Sequence, residues 1–170
     1  MKLIILNGPA GVGKSTLARR LHEDAPMSLL LNIDNWRKQI SHWRENRRES
    51  QVLSYKTATV AIGAHLEESY DVIVDKAILN DDSTLDALVG VGRKHNAQIY
   101  ELVLTAEKEV IARRAFERGF DPNGLLNAEM VEKLLELSQE LQKTRPEARV
   151  IDTTHLTPDE VYEIVREIIQ

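Results

Sequence analysis

The residues best suited to chemistry form one short run. Gly8-Pro-Ala-Gly-Val-Gly-Lys-Ser15 satisfies G-x-x-x-x-G-K-[ST] at every fixed position. Glycines let successive backbone N–H groups turn inward around an anion, and the N-terminus of a following helix adds partial positive charge. The pattern predicts that Gly8, Ala10, Gly11, Val12, Gly13, Lys14, Ser15 and Thr16 cradle a nucleoside triphosphate. Lys14 would reach the β- and γ-phosphates, Ser15 would offer its hydroxyl to Mg²⁺, and the Thr16 N–H would approach the α-phosphate. A glycine-rich turn with a chance lysine is the plainer alternative. The apolar strand before the run and the helix after it argue against that alternative.

Two acids stand after apolar runs further on. Asp34 follows Leu29-Leu-Leu-Asn-Ile33 and could take a proton from an acceptor hydroxyl, or orient it for in-line attack. It could equally cap the next helix. Asp75 closes Asp71-Val-Ile-Val-Asp75, a hydrophobic strand ending in an acid, and is expected to hold Mg²⁺ directly or through water. Lys76 beside it could bind an anionic group or simply be solvated. Arg37, one helical turn after Asp34, could hold an acceptor or neutralise transferring phosphate, or could be a surface arginine.

Cations cluster in two further places. Between Trp36 and Arg48 lie both tryptophans, Trp36 and Trp43, with Arg37, Lys38, Arg44, Arg47 and Arg48. In a chain of net charge −5 this local basicity suggests an anionic acceptor or partner. Mixed aromatic and basic residues can also stack bases, whereas tryptophans packed on a core beneath a solvated helix would give the same pattern. Arg114 and Arg118 are four apart on one helix face just before Gly119. In that position one can stack on a base while the other reaches phosphate, although cations at a helix C-terminus are also favourable in themselves.

The elements needed to position these residues are legible. Strands are predicted at 2–6, 28–33, 71–75, 98–105 and 149–152. Helices are predicted at 14–23, 35–44, 50–69, 83–95, 106–118, 128–143 and from Pro158 onward. Gly90 and Gly92 weaken the helix that holds them. Thr157, Pro158 and Glu160 read as a capping box with proline in the first turn. Strands that alternate with helices and run continuously apolar indicate a parallel sheet covered on both faces. Asp121-Pro-Asn-Gly124 is a strong turn signal, and residues 119–126 are expected to form a short lid on a single domain spanning 1–170.

Composition excludes other classes. The 170 residues are 42% hydrophobic and 29% charged, an ordinary globular balance. With no cysteine, thiolate metal sites, disulfides and cysteine nucleophiles are excluded. The negative charge disfavours a nonspecific DNA coat protein. No apolar run approaches a membrane span, and the glycine loop begins too early for a secretory leader, so a cytoplasmic location is expected.

Over nearly its whole length the chain resembles the small P-loop kinases related to nucleoside monophosphate kinases. The resemblance rests on Gly8–Ser15, Asp34, Val72–Asp75, Arg114 with Arg118, and Val150-Ile-Asp-Thr-Thr-His155. It implies an α/β three-layer fold whose five parallel strands are ordered 2-3-1-4-5. It also implies that Arg114 approaches adenine, that Arg118 approaches phosphate, and that Thr153, Thr154 and His155 border the base. Ile73-Val-Asp75 and Arg118-Gly119 look like the chloramphenicol phosphotransferase group; Asn32-x-Asp34-x-x-Arg37 looks like 5′-hydroxyl polynucleotide kinases. The expectation is an ATP- and Mg²⁺-dependent kinase acting on a hydroxyl of a small molecule. A polynucleotide 5′-hydroxyl kinase and a nucleotide-dependent switch with a protein partner are the competing readings.

Overall fold

The computed structural model describes residues 1–76, 82–117 and 128–170. Arg118 and the expected lid at 119–126 lie outside them. The strands are β1 (Lys2–Asn7), β2 (Leu29–Asn32), β3 (Val72–Asp75), β4 (Gln98–Thr105) and β5 (Arg149–Asp152). They form one parallel sheet in the order β2-β3-β1-β4-β5, as the resemblance implies. The helices are α1 (Lys14–Asp24), α2 (Ile33–Lys38), α3 (Arg47–Glu67), α4 (Asp82–Lys94), α5 (Lys108–Glu117), α6 (Ala128–Thr144) and α7 (Pro158–Ile168).

The period of two along β1 divides the interior. Ile4 and Leu6 join Leu17, Leu21, Ile111, Val161 and Val165 on the face covered by α1, α5 and α7. Leu3 and Ile5 join Ile62, Leu66, Leu85, Leu88 and Leu141 on the face covered by α3, α4 and α6. Because both faces are buried, the strands show no polar alternation. Gly92 does not interrupt α4. A Cβ there would stand 2.8 Å from Leu3 Cδ2, so glycine lets this helix close onto the sheet.

The region after β2 differs from the expectation. The strand ends at Asn32, and the next helix, α2, covers only Ile33–Lys38 instead of reaching Arg44. His42 has a left-handed backbone (φ 55), which no helix interior tolerates, and Asn46 N–H bonds to its carbonyl to launch α3 three residues earlier than expected. At the far end, α7 opens as read: Thr157 accepts from Glu160 N–H, and the Glu160 carboxylate accepts from Thr157 N–H.

Candidate nucleotide and acceptor sites

Parallel strands bring their carboxyl ends to one edge, where open α/β sheets bind ligands. The register aligns Leu6 with Asp75 and Asp75 with Asn32, so β1, β3 and β2 end side by side. The loop that leaves β1 there depends on local backbone geometry. Asn7, buried, accepts the Gly8 N–H at 2.8 Å and braces the entry. Gly8 has φ 129, and a Cβ on it would fall 2.1 Å from the Leu104 carbonyl oxygen of β4, so only glycine fits. Gly11 (φ 86) and Gly13 (φ 100) complete the left-handed turns.

Lys14 is buried, and its Nζ donates to the carbonyls of Gly8 (2.8 Å) and Pro9 (2.7 Å), spanning the loop from within. Ser15 and Thr16 are exposed at the start of α1. Gly11, Val12, Gly13 and Thr16 line a cavity of about 570 Å³ together with Arg114, Thr153, Leu156 and Pro158. Arg114 is oriented by β5's exit: Nη1 donates to Thr153 Oγ1 at 3.1 Å and Nη2 to the Thr153 carbonyl at 2.8 Å.

The structure separates the three residues expected along the base. Thr153 lines the cavity. Thr154 turns elsewhere: its hydroxyl donates to Asp152 at 2.6 Å and accepts the Glu107 N–H at 2.9 Å. Its own N–H also donates to Asp152 at 2.9 Å, and these two bonds hold the Asp152 carboxyl below its usual range. His155 is exposed. The wall includes residues that the sequence reading did not single out, among them Arg19, Arg20 and Asp159. Arg20 pairs with Asp159 and lies 3.9 Å over the Tyr162 ring. Their one sequence signal is spacing: Arg19 and Arg20 follow Thr16 by three and four residues, one turn along α1.

On the other side of β1, Asp75 is buried and accepts from Asn32 Nδ2 at 3.0 Å. Asn32 also caps α2, accepting the Asn35 N–H at 2.9 Å. The cap is therefore Asn32 and not Asp34. That leaves Asp34 half-exposed in the first turn of α2, paired with Lys76. Arg37 is turned toward α3: Nε donates to Ser50 Oγ at 3.0 Å and Nη2 to the Arg47 carbonyl at 2.5 Å. Trp36 packs on the core, whereas the Trp43 ring has the guanidiniums of Arg37 (5.3 Å) and Arg44 (5.2 Å) close to it.

Among the described residues, no three His, Asp or Glu side chains gather as a metal site. A Mg²⁺ at Ser15 and Asp75 would draw its remaining ligands from phosphate oxygens and water, as this cation commonly does. No helix among these residues is long and apolar enough to cross a membrane.

The profile of the AAA domain family matches residues 3–137. No curated protein matches the sequence. Solved structures of the same fold include the tunicamycin resistance protein of Deinococcus radiodurans, at 18% identity and TM-score 0.66 over 99% of this chain and 96% of that one. A gluconokinase from Sinorhizobium meliloti 1021 aligns at 17% identity and TM-score 0.65, over 95% of this chain and 87% of that one. Thymidylate kinase from Candida albicans aligns at 19% identity and TM-score 0.68, over 99% and 90%. At these identities the likeness establishes a shared fold.

Proposed function

The chain belongs to the AAA domain family, and from that premise we propose that it is a kinase that moves the γ-phosphate of ATP to a hydroxyl of a small molecule. One observation carries this reading. The glycine loop with Lys14 leaves β1, Asp75 ends β3 next to it, and the Asn32–Asp34 turn ends β2 on the far side of β3. A triphosphate on the loop would then have its metal-binding acid on the adjacent strand end and, one strand further out, an acid able to receive a hydroxyl proton. The kinases that share this fold support the same chemistry.

In this reading Gly8–Thr16 hold the triphosphate, and Arg114 and Thr153 face the base. Mg²⁺ held by Ser15 and Asp75 would neutralise charge on the phosphates. Asp34 orients or deprotonates the acceptor, and its partner Lys76 can bind an anionic group that the acceptor carries. Arg118, on its place in the sequence, assists the transferring phosphoryl group.

The acceptor we favour is an anion with an apolar body. α3 and α4 both start at the carboxyl edge of the sheet, and a groove of about 390 Å³ lies between them. Arg48 and Lys56 line it beside Val52, Tyr55 and Leu88, which gives charge and apolar surface together. Trp43, with two arginines close to its ring, instead favours the second reading, a polynucleotide 5′-hydroxyl.

The test is ADP release with MgATP against a panel of hydroxyl antibiotics, sugars and sugar acids, nucleosides, and a 5′-hydroxyl oligonucleotide. Stimulation by a small hydroxyl compound is expected. Stimulation by the oligonucleotide alone, with salt-sensitive binding, would select the second reading. A flat panel over steady basal hydrolysis would favour a nucleotide-dependent switch.

A further inference from the structure

One buried hydroxyl joins the base side of the cavity to the phosphate loop. Thr153 is 1% exposed, and its N–H donates to the Thr105 carbonyl at 2.8 Å, fixing it to the end of β4. Its Oγ1 lies 3.0 Å from the Thr105 carbonyl oxygen and 3.2 Å from that of Val12, and it accepts from Arg114 Nη1 at 3.1 Å. A hydroxyl has one proton to give, so the two carbonyls share it while Arg114 occupies the accepting side. A guanidinium donating to that oxygen polarises the O–H and strengthens the bond it makes onward.

The Val12 carbonyl is well placed to transmit this. It belongs to the same planar trans peptide as the Gly13 N–H, and the two groups point in opposite directions. Holding the carbonyl back toward Thr153 therefore aims the N–H away from it, into the turn between Gly11 and Lys14. Both flanking glycines have left-handed φ, and the peptide between them is held by the buried Val12 side chain and by this bond.

We propose that Thr153 is a positioning residue that couples Arg114 to the phosphate-binding loop. Engagement of Arg114 strengthens the loop's hold on phosphate, and phosphate on the loop steadies Arg114 to the same degree, as coupling of two sites requires. The proposal rests on the nucleotide-binding reading above.

A double-mutant cycle tests it, read by calorimetric titration of inorganic tripolyphosphate, which carries no base. Arg114→Ala is expected to weaken tripolyphosphate binding by about fivefold in the wild-type background, the lower end of coupling between two sites. It should cost nothing further in a Thr153→Val background, while Thr153→Ser retains wild-type binding. An equal loss in both backgrounds, or no loss in either, would overturn the coupling. Should Thr153→Val fail to fold, amide exchange at Gly13 supplies the answer without it. Faster exchange in Arg114→Ala than in wild type is expected, and unchanged exchange overturns the proposal. Wild-type protein that bound neither tripolyphosphate nor ATP would instead overturn the nucleotide reading, and the coupling with it.

Discussion

The two sides of β1 are built differently. On the loop side, the site is backbone and buried groups: Gly8 pressed on the Leu104 carbonyl, Lys14 threaded through its own loop, and Thr153 clasped between β4, the loop and Arg114. On the α2–α3 side, it is side chains reaching from one element to another: half-exposed Asp34 to Lys76, Arg37 to the buried Ser50. The first arrangement is fixed by the same contacts that fix the sheet. In the second, the half-exposed Asp34–Lys76 pair contributes little to stability, and the Arg37–Ser50 bond ties α2 to α3. A substitution on the loop side should therefore damage binding and packing together, while one on the α2–α3 side should change chemistry or acceptor preference and leave the nucleotide in place.

The largest effect should come from Lys14→Ala. It removes the ammonium from a buried position inside the loop, and transfer should fall to background with ATP affinity reduced at least about tenfold. Coupled ADP release and equilibrium ATP titration measure the two. Retained turnover would break the assignment of the loop. Asp34→Asn comes next and should behave oppositely on binding. It keeps size and exposure but loses the base, so kcat should drop by roughly 10²-fold while ATP affinity stays within about twofold. If ATP affinity falls as far as kcat, the two sides are not separable, and Asp34 acts on the nucleotide.

That difference also decides what the sequence can disclose. The phosphate loop is readable because its demands are local: glycine where φ must be positive, lysine and serine at the helix start. The parallel sheet is readable because strands buried on both faces leave uninterrupted apolar runs, and the Thr157–Glu160 box because its partners are three residues apart. Asn32 illustrates the limit. Asp34 was an equally good cap by type, and the choice turned on Ile33 already being helical, a matter of one residue in where β2 stops. Arg37 and Ser50 are thirteen residues apart, and the left-handed His42 that folds them together leaves no strong mark in composition. The resemblance points to Thr153 but not to its inward hydroxyl, because Val12 is 141 positions away in the chain.

Arg37→Ala gives the smallest effect and sharpens the comparison most. From type and spacing alone, Arg37 is a candidate for contact with the acceptor or the phosphoryl group. Its guanidinium instead fastens α2 to the start of α3 through Ser50 and the Arg47 carbonyl, and packs against Trp43. Loss of these bonds should destabilise the fold by about 2 kcal/mol, the usual range for hydrogen bonds from a charged donor, seen as a lower midpoint in urea. Freed from that tether, the turn that carries Asp34 would keep the Asn32 cap, the Lys76 pair and the packing of Ile33 and Trp36. The acceptor KM should then rise several-fold, with kcat at saturating acceptor and the affinity for ATP close to wild type. Arg37→Lys separates the two roles. A lysine cannot reproduce a two-pronged grip on a hydroxyl and a carbonyl, so it should lose stability almost as alanine does. If lysine instead restored kcat without restoring stability, the positive charge would be acting on the reacting phosphate, and Arg37 would belong with the nucleotide after all.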